Sequence, residues 1–439
     1  MGELPVAVIG AGPLGLAAAA HLLERGLQPV VLESGAGPAD AVREWGHVHL
    51  FSPWPELVDQ AGARLLEPSG WRMPAANFPT GAEWVSGYLA PLAAALGDRV
   101  RYGTRVTGVS RRGRDRLSTA RRAEQPFVLH VADRTGTEAR LEARAVIDAS
   151  GTWRQPNPAG ADGLPAIGER AAADAGLITY RPPAPAHLAK WAGRSVAVVG
   201  SGHSAMTAII GLAEVAAASP GTQITWVLRR GVTANTFGGG ADDELPERGA
   251  LGERARVAAE AGLVQLVTGF RTRQVKQADG QAVLVADDGR TLPADHVVVL
   301  TGFRPDLSFL TEVRLELDPV LQAPVTLAPE IDPNVHSCGT VAPHGARELA
   351  HPEPGFYLVG MKSYGRAPTF LALTGYEQVR SVAAELAGDH EAASRVELVL
   401  PDTGVCSLPG LAGPGPAAGG GCCAPAPELV PAGSGASQA

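Results

Sequence analysis

Two stretches of the chain repeat one arrangement of apolar and polar positions. Residues 6–33 read VAVIGAGPLGLAAAAHLLERGLQPVVLE, and residues 196–230 read VAVVGSGHSAMTAIIGLAEVAAASPGTQITWVLRR. Each opens on a run that is apolar at every position and breaks at a glycine turn. An Ala-rich stretch and a second apolar run follow. Val6 matches Val196, Gly10 matches Gly200 and Gly12 matches Gly202, at a constant offset of 190 residues. A strand without polar alternation has both faces buried, the condition of a parallel sheet, so each stretch predicts a βαβ unit.

The intervening pattern predicts further elements. Thr80 and Glu83 have the spacing of a capping box, and Trp84, Tyr88, Leu89 and Leu92 recur at helical spacing, so residues 80–96 read as a helix. Short β-like runs occupy 127–131 and 145–149, and the basic stretch 111–122 (RRGRDRLSTARR) reads as a solvated hairpin loop. Residues 297–300 form a β-branched buried strand, and 379–386 an amphipathic helix. The end differs in kind: from Pro401 onward 39 residues hold 9 Gly, 7 Pro and only two charges, Asp402 and Glu428. That composition predicts a flexible tail.

The glycine turns carry chemistry. In Gly10-Ala-Gly12-Pro13-Leu14-Gly15, the first glycine permits a tight turn and the second admits a pyrophosphate close to the backbone. The third allows close packing of helix on strand. The helix N-terminus beyond offers N–H groups and a positive dipole end to phosphates. Glu33 ends the second strand, where an acid accepts hydrogen bonds from an adenosine ribose diol. The second turn, Gly200-Ser201-Gly202-His203-Ser204-Ala205, has Ala as its third small residue, and its second strand ends in Arg229-Arg230. Arginine forks bind a ribose 2′-phosphate that an acid would repel. FAD in the first unit and NADPH in the second follow. The fold class expected is α/β: two Rossmann-like dinucleotide-binding domains, an FAD domain with an inserted NADPH domain, in the three-layer β-β-α type.

Composition narrows the classes. The 439 residues are 45 % apolar and carry a net charge of −8, which argues for a large core and against nucleic acid as a partner. No run of 18 consecutive apolar residues exists, so no membrane span is expected. Four cysteines in a chain this long form no disulfide scaffold, and a cytoplasmic setting fits them. The 54 Gly and 36 Pro exceed average usage, and the tail accounts for only a minor share of them.

Two further stretches, Asp148-Ala-Ser150-Gly151-Thr152 and Leu300-Thr-Gly302-Phe-Arg304-Pro-Asp306, each follow an apolar strand and end in a small-residue turn. With them the chain resembles, over residues 5–390, the two-dinucleotide-binding-domain flavoprotein superfamily. Its members include thioredoxin-reductase-like enzymes, N-hydroxylating monooxygenases and flavin-containing monooxygenases. The resemblance implies an FAD domain over 1–178 resuming over 301–398, an NAD(P)H domain over 179–300, and a Cys-containing tail over 399–439. It further implies that Phe356 to Gly360 and Met361 form a strand closing over the flavin, with Met361 where many relatives have Asp. Ser34, Trp45 and Val106 join the expected cofactor contacts. The segment from Arg43 to Trp54 is expected to wall the flavin, with Arg43, His49 and Ser52 beside it and Asn235 on a nicotinamide-side loop.

The reaction class is read from what the sequence holds. The cysteines are Cys338, Cys406, Cys422 and Cys423, with no Cys-x-x-Cys, which argues against a thioredoxin-reductase-type dithiol. The stretch 179–191 lacks the Phe-x-Gly-x3-His motif of flavin monooxygenases, although the second glycine turn resembles theirs. The tail, LPDTGVCS and GGGCCAPA, resembles actinobacterial flavoproteins of arsenic-resistance gene clusters, described as flavin-binding monooxygenases. Adjacent Cys422 and Cys423, with Cys406, suit a soft metalloid, and an incidental tail is the competing reading. Cys338 near His336, His344 and His351 reads as packing rather than a metal site. The expectation is an FAD- and NADPH-dependent monooxygenase-like enzyme acting on a soft heteroatom, with oxygen and a small molecule as partners. Whether the chain self-associates stays open. An NADPH-dependent reductase of a disulfide or quinone, and a non-enzymatic metalloid-binding flavoprotein, are the alternatives.

Overall fold

The computed structural model describes residues 3–75, 78–232, 234–238, 240, 243, 245–335, 341–368 and 370–398. The first sheet is wholly parallel, with strands in the order β16 (Phe356–Leu358), β7 (Ala145–Asp148), β1 (Val6–Ile9), β2 (Pro29–Leu32), β3 (Val100–Arg101). The second repeats the plan as β11 (Gln265–Val267), β10 (Gln223–Val227), β9 (Ser195–Val199), β15 (His296–Val299), β8 (Ile178–Thr179), again all parallel. Each is accompanied by a three-stranded antiparallel sheet. These are β4 (Arg105–Arg111), β5 (Phe127–Ala132), β6 (Glu138–Ala143) for the first and β12 (Thr272–Ala278), β13 (Gln281–Ala286), β14 (Thr291–Ala294) for the second.

Side-chain alternation builds the layers. Val6 and Val8 of β1 point into a core with the helices, among them Leu16 and Leu22 of helix Pro13–Glu24 and Val379 and Val382 of helix Ala372–Leu386. Ala7 and Ile9 point the other way, against Val109, Phe127 and Leu129 of the antiparallel sheet. Val196 and Val198 of β9 likewise meet Met206 and Ile209 of helix His203–Ala218, while Ala197 and Val199 meet Val275 and Leu284. The result is two β-β-α units of one design, as the apolar runs require.

Three expectations need correction. The 80–96 helix begins on the capping box, with Thr80 N–H donating to Glu83 at 2.7 Å and Glu83 N–H to Thr80 Oγ1 at 3.2 Å. It is interrupted by a π-helical segment, Val85–Leu89, between Gly81–Trp84 and Ala90–Leu96. The late helix is present but starts earlier, running from Ala372 to Leu386, and it is buried from Thr374 to Ala384 with its polar residues included; it lies against helix Pro13–Glu24 inside the first unit. The 111–122 stretch does join β4 to β5, but its end residues turn inward. Arg111 and Arg122, 5 % and 3 % exposed, grip the carboxylate of Glu353, 1 % exposed, at 2.8 and 2.7 Å. A carboxylate leaves water only when it is paired and hydrogen-bonded, and two guanidiniums from one hairpin meet that condition here.

No helix among the described residues is long and apolar enough to cross a membrane. The tail with Cys406, Cys422 and Cys423, and residues 336–340 with His336 and Cys338, lie outside the described residues.

Candidate functional site

Both glycine turns sit where a parallel strand ends and a helix begins. Gly10 has φ +98° and Gly200 φ +137°, backbone that favours glycine. A Cβ on Gly10 would come 2.9 Å from the Ala149 carbonyl, and one on Gly200 would come 2.2 Å from that of Leu300. The stretches after β7 and β15 are thus pressed against the turns. Gly12 and Gly202, the helix N-caps, differ: nothing lies within 4 Å of a Cβ built on either. No side chain caps either helix. Pro13 has no N–H and the Ala205 N–H donates back to the Gly202 carbonyl at 2.9 Å, and the other first-turn N–H groups stand beside open space. A phosphate fits there, and both turns pass this test for a dinucleotide.

The polar ends of the two units diverge. Glu33 is buried, and its carboxylate accepts the N–H of Ala11 at 2.8 Å and of Gly35 at 2.6 Å. Ser34 donates to it at 3.3 Å. Oε1 takes the Gly35 and Ser34 bonds and Oε2 the Ala11 bond, so Oε2 keeps a lone pair for a further donor and the group is aimed as well as charged. In the second unit Arg229 and Arg230 are exposed at the end of β10. Burial, Arg230 and Arg271 together lower the Arg229 pKa, so three guanidiniums share one locality. Arg229 donates to the Ala161 carbonyl at 2.9 Å, and Arg271 pairs with Asp287 at 3.3 Å.

The turn of the first helix meets the closing strand. A Cβ on Gly360 would lie 3.2 Å from Leu14, and one on Gly375 would lie 2.4 Å from it, so Leu14 occupies the room those glycines leave. Met361 is half-buried in the short 3-10 turn Gly360–Lys362. Gly360 N–H donates to Gln378 at 2.7 Å. The Gln378 amide donates to Ser363 at 2.9 Å and to His344 Nε2 at 2.8 Å. His344 Nδ1 faces the Ala342 carbonyl at 3.0 Å; a carbonyl only accepts, so Nδ1 carries the proton and Nε2 receives the amide. Burial lowers the His344 pKa, in keeping with that neutral tautomer.

Lys362 is the residue the sequence reading stopped short of. It is fully buried, as is Asp148, and their charges meet at 2.6 Å. Its ammonium also donates to Ser150 at 3.0 Å and stands 4.4 Å from the Phe309 ring centroid. One cation therefore joins the stretch after β7 to the stretch after β15. The signal was an acid ending one strand and a lysine following its neighbour, with Leu358 opposite Asp148. That juxtaposition appears only once the strand order is known.

A cavity of about 230 Å³ opens between the units. Trp45, His49 and Phe51 line it from the first, and His203, Ser204 and Thr207 from the second helix. Trp153 and Pro182 line it from the segments between them. Phe51 and His203 touch edge to face at 5.1 Å. Burial, with Arg248 nearby, pushes the His203 pKa down to about 4, so the imidazole is neutral near pH 7. Of the residues expected beside a flavin, His49 reaches this cavity, while Arg43 is exposed and bonded to the Pro38 carbonyl at 3.0 Å. Ser52 is buried but does not line the cavity. Val106 packs its side chain into the core between the sheets. Ser150, Gly151 and Gly302 lie on the segments that follow β7 and β15, and Ser201 is exposed in the second turn. The side chain of Asn235 lies outside the described residues, and no group of three metal-ligating residues occurs among those described.

With this geometry the comparisons can be read. A model of a family described as pyridine nucleotide-disulphide oxidoreductase matches residues 4–353. No curated protein matches the chain. Bacillithiol disulfide reductase Bdr (YpdA) from Bacillus cereus superposes with a TM-score of 0.64 at 18 % identity, covering 88 % of this chain and 99 % of that one. Ornithine hydroxylase (PvdA) from Pseudomonas aeruginosa gives 0.59 at 15 %, covering 89 % and 100 %. A flavin-containing monooxygenase from Stenotrophomonas maltophilia gives 0.52 at 23 %, covering 88 % and 99 %. At such identities these likenesses establish the fold.

Proposed function

The chain belongs to the pyridine nucleotide-disulphide oxidoreductase family, and from that premise we propose that this FAD- and NADPH-dependent oxidoreductase is a monooxygenase of a soft heteroatom. Sulfur and trivalent arsenic are the candidate centres. The observation that carries the reading is the cavity between the units, whose wall, among the described residues, is mostly aromatic and aliphatic. A site that oxygenates must exclude water around the reduced cofactor, and an apolar wall is the lining such a site needs.

In this reading residues 1–178 and 301–398 hold FAD and residues 179–300 hold NADPH. The first turn's free N–H groups, with Glu33 and Ser34, take the adenosine diphosphate part of FAD. The second turn, with Arg229 and Arg230, takes NADPH and its 2′-phosphate. FAD, when bound, supplies the hydride acceptance and oxygen activation that side chains lack. The overall change balances: a sulfide, O2, NADPH and H⁺ give a sulfoxide, water and NADP⁺. The chain's own residues position the partners and keep the cavity dry. The cysteine pair of the tail gives a trivalent arsenical a thiol-rich route to the enzyme, which places arsenite in the substrate panel.

The test follows NADPH and oxygen together in the FAD-loaded protein with sulfides and arsenite. Oxygen consumption matched to an oxygenated product supports the proposal. NADPH oxidation that continues without oxygen, driven by a disulfide or quinone, replaces it with a reductase. No turnover in either assay leaves a binding protein.

A further inference from the structure

One side chain of the cavity wall is held more firmly than packing requires. Trp153 donates its indole N–H to Glu44 at 2.7 Å. The Arg181 guanidinium stands 4.4 Å from its ring centroid and 5.7 Å from that of Phe303. The Trp153 and Phe303 rings are themselves 4.8 Å apart. Arg181 closes the circle by pairing with the same Glu44 oxygen at 3.3 Å, and Arg154 lies 3.7 Å from the other. Glu44 precedes Trp45 and Arg181 precedes Pro182, so this cluster abuts the cavity wall at three places.

Among the described residues the cavity wall has no permanently charged side chain, while Trp45 and Phe51 from one segment and Trp153 from another present three rings. An apolar cavity of ~150 Å³ binds benzene, so 230 Å³ accommodates a substituted single ring. The charges nearby, on Glu44 and Arg181, are spent on each other and on Trp153. In the proposed reading the helix N-terminus at His203 and Ser204 serves the NADPH phosphates, so an ionic substrate would lose its hydration here without a further partner.

We propose that Trp153 is the platform for an uncharged aromatic ring on the substrate, and that Glu44 and Arg181 are the positioning residues that fix its plane. The proposal rests on the monooxygenase reading for the fate of the ligand, but the ring site is testable without turnover.

The experiment uses the FAD-loaded full chain and three probes: methyl phenyl sulfide, dimethyl sulfide and zwitterionic methionine. The aryl sulfide is expected to have a kcat/KM about tenfold above dimethyl sulfide, with methionine weakest, since a well-placed ring contact is worth about a factor of ten. Trp153→Leu abolishes that preference, and Trp153→Phe restores most of it. Glu44→Gln keeps an acceptor for the indole but not the charge facing Arg181; it raises KM for the aryl sulfide about threefold with kcat unchanged. An aryl preference that survives Trp153→Leu, or equal losses on both sulfides, overturns the platform. An unmoved KM in both Glu44→Gln and Arg181→Met overturns the positioning. If no sulfide is oxygenated, the monooxygenase reading fails, and calorimetric titration of methyl phenyl sulfide into the oxidised protein still decides the site. Binding that weakens about tenfold in Trp153→Leu supports it, and binding that is absent or unaltered overturns it.

Discussion

The first and second glycine turns share a backbone and differ in nearly everything attached to it. Both press a positive-φ glycine against the carbonyl that ends a neighbouring strand, and both leave the N-cap glycine open. The first is then backed by Gly15, a buried glutamate and a fully buried Lys362–Asp148 pair. The second is backed by Ala205 and three neighbouring arginines. Its crossing is held by hydrogen bonds, Asn157 to the Thr301 carbonyl at 3.1 Å, Thr301 to the Asn157 carbonyl at 2.9 Å and Arg304 to Asn157 at 2.8 Å, with the Phe303 ring against Trp153, and by no buried ion pair like that of the first among the described residues. The turn decides that a dinucleotide can sit there. In the proposed reading the groups around it decide which one, and they set how firmly the platform is held.

The largest expected effect separates the two crossings. Lys362→Met leaves Asp148 buried without its cation, a change that costs about 3–5 kcal/mol. Asn157→Ala removes partly exposed hydrogen bonds and costs about 1 kcal/mol. Chemical denaturation of both variants measures the difference; equal costs would mean that the two crossings are held alike.

Next comes the third small residue of each turn. A Cβ on Gly15 would stand 1.9 Å from the Gly10 carbonyl oxygen. Gly15→Ala must push the first helix off its strand, with a loss of about 1–3 kcal/mol and of bound FAD. Ala205→Gly relieves nothing and costs about 1 kcal/mol of helix propensity. Flavin content after gel filtration, with thermal denaturation, reads both.

These two cases also show how far the sequence was legible. The βαβ repeat, the parallel sheets and the positions of the turns follow from apolar runs and glycines, because those signals are local. Arg111 and Arg122 were read as solvated because a run of arginines carries no mark of the distant Glu353 that turns its two ends inward. Lys362 was missed for the same reason: its partner is 214 residues away. Trp153, too, is next to a recognised motif, yet its clamp comes from Glu44 and Arg181, far off in the chain. Charged side chains are placed by tertiary partners, and a one-dimensional pattern does not name partners.

A third effect tests the assignment of nucleotides to turns. Replacing Arg229 and Arg230 together by Ala removes charge-assisted contacts worth about 1.5–3 kcal/mol. The KM for NADPH should rise about 10- to 100-fold while that for NADH changes little. Flavin content should stay constant, since the arginines belong to the second unit. Steady-state kinetics with both nucleotides provides the check. A parallel rise for NADH would show that the arginines do not read the 2′-phosphate.

The effect that is smallest near neutral pH distinguishes the turns by protonation. Where the first helix begins with Pro13, which cannot titrate, the second begins with His203. Burial, then Arg248, hold the His203 pKa down at about 4, with Asp243 opposing, against an unfolded value of about 6.5. Between those values the unfolded chain binds a proton that the folded chain refuses. Stability from this group is therefore complete above pH ~6.5, falls as pH drops toward ~4, and changes no further below. One proton lowers stability by about 1.4 kcal/mol for each pH unit in that window. His296 and His351, also held at about 4 mainly by burial, act in the same direction, so the slope is a sum. His203→Asn should remove one proton from it and leave the rest, as read from denaturation midpoints between pH 4 and 7. If the slope of His203→Asn matched that of the parent, His203 would be titrating in the folded state as an exposed histidine does. The neutral wall inferred for the cavity would then be wrong at acidic pH.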